Sequence, residues 1–83
     1  NVETLYKIVQ NKAEALEFRV GKDASLIGIP LEKLSFKDNL LIACINRSGQ
    51  IITPRGKDTI EPGDTVIVVT THSGLKDLKD VLR

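Results

Sequence analysis

Apolar and polar positions along the chain change period several times, and each change marks an element. Leu16, Phe18 and Val20 alternate with Glu17 and Arg19, the period-two pattern of a strand with one polar face, and Gly21-Lys22-Asp23 ends it. Val2 to Val9 are rich in apolar side chains without a clean period. They are read as an earlier strand closed by a turn at Gln10-Asn11-Lys12. Between Ser25 and Leu34 the apolar residues Leu26, Ile27, Ile29, Leu31 and Leu34 surround Gly28 and Pro30. Proline suits the first turn of a helix, where its missing N–H is not needed, so a short helix is predicted over Pro30–Leu34.

Leu40 to Ile45 is the longest unbroken apolar run, and Asn46 closes it. Arg47-Ser48-Gly49-Gln50 reads as a turn, with Gln50 to Thr53 as the returning arm of a hairpin that Pro54 stops. Glu61-Pro62-Gly63-Asp64 is a second turn signal. The β-branched run Thr65 to Thr71 is the clearest strand. Leu75, Leu78, Val81 and Leu82 then form one stripe of a terminal helix capped by Ser73, with Lys79 and Arg83 near its end suiting the helix dipole. Runs of adjacent strands with few helices predict an α+β fold: a small, mainly antiparallel or mixed sheet with a short helix and a C-terminal helix.

Residues 40–45 and 66–69 are apolar at every position, so both faces of the sheet need cover there. One short helix and one terminal helix cover one face easily and two with difficulty. A second copy related by a two-fold axis is the simplest cover for the rest, and the alternative is that the helices and the N-terminal segment suffice. Length points the same way. A chain of 83 residues makes one domain, and it buries only about 60–65% of the surface its unfolded form exposes. A single cysteine, Cys44, offers no intrachain disulfide and fits a reducing cytoplasm.

Charge narrows the function classes. Twelve basic and 11 acidic residues are spread along the chain for a net +1, without the basic stripe of a nucleic-acid module. Three aromatics, Tyr6, Phe18 and Phe36, make no stacking platform for single strands. No run reaches the roughly 18 apolar residues of a membrane helix, so direct membrane insertion is not expected. The chain starts at Asn1 rather than methionine, which reads as a fragment of a longer protein.

Catalysis finds little support in the residue inventory. Cys44 and His72 are the only nucleophile–base types to test together, but Cys44 lies in an apolar strand where burial makes a thiol inert. The carboxylates show no acid/base or metal-cage spacing, and neither the Walker nor the dinucleotide-binding glycine pattern occurs. The chain is read as not an enzyme, with no cofactor in this domain. The hairpin is a different constellation. Asn46 and Arg47 leave one arm and Pro54, Arg55, Gly56 and Lys57 follow the other, beside Ile45, Ile51 and Ile52. Guanidinium, amide and aliphatic groups together suit a small phosphate- or ring-bearing ligand, while the plainer reading is a solvated turn and loop.

Taken in order, these motifs resemble a known family. Leu5-Tyr6-Lys7-Ile8-Val9 followed by Lys12-Ala13-Glu14-Ala15-Leu16-Glu17-Phe18 looks like the opening of the C-terminal regulatory domain (RCK_C, or TrkA-C) of Trk-type potassium uptake regulators. Ile27 to Leu34 resembles its "iG-x-x-L-x-x-L" helix, Leu41 to Gly49 its "vv-ai-x-R-x-G" hairpin, and Ile60 to Val68 its "l-x-x-GD-x-l-x-v" strand. The resemblance spans residues 1–83 as one domain. It implies a fragment lacking an N-terminal nucleotide-binding domain, in a cytoplasmic homodimer or larger ring attached to a membrane potassium channel subunit. Some members of the family bind cyclic di-AMP at the dimer interface, which carried over points to Ile45, Asn46, Arg47, Ile52 and Pro54, with Arg55 beside them. The functions that follow are a ligand-sensing regulatory dimer, a purely structural dimerisation module, or a fragment of an enzyme.

Overall fold

A computed structural model of the chain describes residues 8–10 and 12–83. Ile8, Val9 and Gln10 are helical. The expected strand over Val2–Val9 therefore fails at its two described residues, and the rest of it lies outside the described ones. Ile8 is buried while Val9 and Gln10 are exposed, a helical rather than an alternating pattern. Lys12, at φ 61°, donates its N–H to Val9 O (3.2 Å), so the turn after the helix forms as expected.

Four strands follow: β1 (Glu14–Arg19), β2 (Leu40–Arg47), β3 (Gln50–Ile52) and β4 (Thr65–Thr70). They form one sheet in the order β1-β4-β2-β3, antiparallel throughout. The expected α+β fold with a mainly antiparallel sheet is what the chain adopts. The β2–β3 hairpin turns on two residues, Ser48 (φ 52°) and Gly49 (φ 85°), between the pair Arg47 and Gln50. Both residues at positive φ match the right-handed twist of the flanking strands.

One irregularity sets the phase of β2. Ile42 pairs with Val68 and Cys44 with Ile67, so Ala43 is an extra residue in the ladder. Strict alternation would place Leu40 and Ile42 on one face and Ile45 on the other. The bulge brings Ile45 back to the face of Leu40 and Ile42, where it pairs with Val66 and is fully buried. It also turns Arg47 to that face and leaves Leu41, Cys44 and Asn46 on the other.

The core lies on the face of Ile42, Ile45, Val66 and Val68, closed by Val20, Leu26, Leu31, Ile60, Leu78 and Val81. Two 3-10 turns supply Leu31, Leu78 and Val81 to this cover, and the loops after β1 and before β4 supply Val20, Leu26 and Ile60. The first, Leu31–Lys33, follows Pro30 at φ −53° and realises the predicted short helix as a single tight turn. The second, Leu78–Val81, is all that forms of the predicted C-terminal helix. Gly74 adopts φ 82°, which breaks any helix begun at Ser73. The Asp80 carboxylate instead accepts the N–H groups of Lys76 (2.9 Å) and Asp77 (3.0 Å) and starts the turn there. Spacing of three residues between Leu78 and Val81 buries both side chains in a 3-10 turn as well as in an α-helix, so the stripe alone did not distinguish them.

The opposite face carries Leu41, Cys44, Ile67 and Val69, all half-buried, with Glu17 and Arg19 at the β1 side. Ile51, paired with Asn46 on this face, is 64% exposed.

Candidate functional site

Two features near the hairpin bear on function, an ion-pair node and a cleft. At the node, Arg47 extends from the end of β2 to Asp64, the last residue of the turn before β4. Arg47 Nε donates to Asp64 Oδ1 and Arg47 Nη2 to Asp64 Oδ2, each at 2.9 Å, a two-point fork. Nη2 also donates to Thr59 O (3.0 Å), and Asp64 Oδ2 accepts the Glu61 N–H (2.9 Å). Asp64 is 1% exposed and the Arg47 side chain 40% exposed. The node therefore ties the hairpin to the 59–64 turn, with Asp64 shut from water and the Arg47 side chain open to it.

The hydrogen bonds from the Arg47 guanidinium, aided by the Glu61 N–H and the opposite charge, hold the Asp64 carboxyl below its ordinary value against the cost of burial. A group with a depressed folded pKa stabilises the fold above its unfolded pKa, and that contribution is lost as pH falls through the folded pKa. Asp64's contribution should thus be complete at neutral pH and begin to fall below about pH 4. Urea unfolding followed from pH 7 to pH 2 checks this. Stability should fall in that acid range, and less steeply in Arg47→Gln, whose Asp64 has lost most of the cause of its shift.

The cleft lies where the sheet edge opens. β3 pairs only with Ile45, Asn46 and Arg47, so the first half of β2 has no β3 partner. Beside it, the first 3-10 turn is held to the loop after β3 by the N–H groups of Leu31 on Asp58 O and Glu32 on Gly56 O, both 2.9 Å. Between them is a cleft of about 230 Å³ whose walls are mostly apolar: Leu31, Phe36, Leu40, Leu41, Ile42 and Pro54, with Glu32, Arg55 and Gly56 at its polar part. Arg55 donates its backbone N–H to Asp58 Oδ2 (2.6 Å). Among the described residues its guanidinium takes part in no ion pair. A second cavity of about 360 Å³ lies between the end of β1, the loop through Ser25 and the last turn at Leu78 and Lys79.

The six residues singled out in the sequence separate into two groups. Pro54 and Arg55 line the cleft. Ile45 is fully buried and packs with the partly buried Ile52 it pairs with. Asn46 Oδ1 accepts the Gly49 N–H (3.0 Å) and braces the hairpin turn, and Arg47 is held by Asp64. Leu31, Phe36, Leu40 and Leu41 also line the cleft, although the sequence pattern marks Leu31, Leu40 and Leu41 only as parts of a helix or strand and Phe36 only as one of three aromatics. They come from three separate segments, and nothing in the local pattern announces that they meet. Cys44 is half-buried, and His72 Nε2 donates to Asp38 O (2.6 Å) in the segment before β2. No group of three or more metal-ligating side chains occurs among the described residues.

Comparison with known proteins bears on this geometry. The family model of the TrkA-C domain matches residues 15–83. A Trk system potassium uptake protein TrkA homolog 2 from Methanosarcina mazei is 27% identical over 82 residues, covering 99% of this chain and 18% of that protein. A TrkA homolog from Pyrococcus abyssi is 32% identical over 71 residues, covering 84% of this chain and 31% of the relative. The chain thus spans less than a third of these curated relatives. A solved structure described as "Structure of RCK domain with cda" superposes with a TM-score of 0.61 at 26% identity, over 83% of this chain and 97% of that one. With its hairpin, its Glu61-Pro62-Gly63-Asp64 turn and all of its sheet but Glu14 inside the matched span, the chain belongs to the TrkA-C domain family.

Proposed function

We propose that this domain is the dimerising, ligand-sensing part of a cytoplasmic subunit, peripheral to the membrane, that controls potassium uptake through a membrane-embedded channel subunit. Family membership and the names of the relatives support the link to potassium uptake. The observation that carries ligand sensing is the open-edged cleft, in which aliphatic and aromatic walls end at a polar part formed by Arg55, Glu32 and Gly56. Apolar walls suit a nucleobase and a guanidinium suits a phosphate. The proposed ligand is cyclic di-AMP. At about 230 Å³ the cleft is smaller than the roughly 300–1,000 Å³ of sites that enclose whole drug-sized ligands. One copy then holds half of this two-fold symmetric dinucleotide, and a two-fold related copy holds the other half. The domain works by binding and not by catalysis. A ligand that favours one arrangement of the dimer shifts the population toward it and so changes what the attached channel subunit experiences.

The other reading is a structural dimerisation module without a ligand. It is favoured by Ile45, Asn46 and Arg47 being engaged in packing, turn bracing and an ion pair. Calorimetric titration separates the two. Cyclic di-AMP should bind with one dinucleotide per two chains and raise the thermal midpoint. Arg55→Ala should weaken binding about tenfold by removing the phosphate partner. No heat and no thermal shift with the unaltered chain would overturn the ligand reading and leave the structural one.

A further inference from the structure

The segment from Ser35 to Asp38 carries Phe36 into the cleft, yet its backbone belongs to neither the first 3-10 turn nor β2. What holds it is the C-terminal strap, Leu78 to Arg83. Phe36 and Leu82 form an antiparallel bridge, flanked by Lys37 N–H on Val81 O (2.8 Å) and Arg83 N–H on Ser35 O (3.0 Å). Two side chains lock this zipper from opposite sides. The part-buried Lys37 ammonium donates to Leu82 O (2.9 Å) and to Asp80 O. Arg83 Nε donates to Phe36 O (3.1 Å) and its Nη2 to Asp38 Oδ1 (2.5 Å). Leu78 and Val81 anchor the strap in the core.

We infer that Lys37 and Arg83 are positioning residues for the cleft, acting through the strap that fixes Phe36 in its wall. The inference rests on the cleft being the ligand site. Its physical basis is that a short segment without a sheet partner keeps one conformation only where its backbone is over-determined by other bonds. Here four of those bonds come from two side chains. Lys37→Met keeps the aliphatic stem and removes the donors, leaving the carbonyls of Asp80 and Leu82 without the ammonium that serves both. Arg83→Ala frees Phe36 O and Asp38 without touching the core, since the Arg83 side chain is 63% exposed. Coupling is reciprocal: whatever binds against Phe36 protects the strap, and whatever loosens the strap weakens binding at the cleft.

Amide NMR on the 83-residue chain tests this with and without cyclic di-AMP. In Lys37→Met and in Arg83→Ala, the Lys37 amide should exchange at least fivefold faster. Resonances of Phe36, Leu41 and, across the cleft, Gly56 should shift, while those of the β1–β4 ladder stay in place. A merely local structural role would leave Gly56 unmoved. Lys37→Arg should restore the unaltered pattern, and cyclic di-AMP should bind at least fivefold more weakly to Lys37→Met than to the unaltered chain. Unchanged cleft resonances in both variants would overturn the inference. If the unaltered chain does not bind cyclic di-AMP, the proposed ligand falls, and the Gly56 and Phe36 shifts alone then decide for or against the strap.

Discussion

Arg47→Ala is expected to lower the thermal midpoint by about 10–20 °C, far more than loss of the exposed Arg83–Asp38 pair. The substitution leaves Asp64, 1% exposed, with only the Glu61 N–H of its former partners. Removing one partner of a buried charge pair commonly costs about 3–5 kcal/mol. Water that reaches the Arg47 side chain, 40% exposed, softens this. A cost of about 2–3 kcal/mol is therefore expected, and each kcal/mol moves the midpoint of a domain this small by about 4–8 °C. The other ion pair makes the comparison. Arg83 and Asp38 are 63% and 81% exposed, and losing a pair of that kind costs about 0–1 kcal/mol. Scanning calorimetry on Arg47→Ala, with Asp38→Ala as the control, reads the difference directly. Equal small losses in both would mean that the node is not what fixes the hairpin. The same result bears on function, because an Arg47 needed to hold Asp64 is not free to leave it for a phosphate.

Ile51→Lys is expected to weaken self-association at least tenfold while leaving the monomer fold intact. Ile51 lies on the sheet face away from the core and is 64% exposed, so a lysine there meets water in a single copy. In the proposed dimer the same face is covered, and the ammonium must lose its hydration. Leu41, Cys44, Ile67 and Val69 extend this face across the two central strands. Sedimentation of the variant beside the unaltered chain, with circular dichroism to confirm folding, measures the effect. An unchanged association constant would place the contact between copies on some other surface.

Much of the architecture was legible because its signals are local. Alternation at Leu16 to Val20, the Ser48-Gly49 turn and the β-branched run at Thr65 each stand where the structure has β1, the hairpin and β4. What escaped was set by contacts distant in sequence. An all-apolar stretch from Leu40 to Ile45 carries no phase, so the bulge at Ala43 left no mark, and with it the side chosen by Ile45 and Arg47 was hidden. The terminal stripe of Leu75, Leu78 and Val81 fits α and 3-10 geometry alike. The positive φ of Gly74 and the Asp80 carboxylate decided between them. At the site, Pro54 and Arg55 were legible as the loop beside a hairpin. Phe36 was not, since it reaches the cleft only through a bridge to Leu82. Asp64 read as an ordinary turn residue. Its burial beneath Arg47 depends on the bulge.

The proposed function makes two demands: that the domain associate, and that its association respond to a ligand. Sedimentation of the unaltered chain at micromolar concentration, with and without cyclic di-AMP, joins the two requirements in one measurement. A dimer whose dissociation constant falls at least tenfold when the dinucleotide is present is the predicted result. A chain that stays monomeric in both conditions, or a dimer indifferent to the nucleotide, would contradict it.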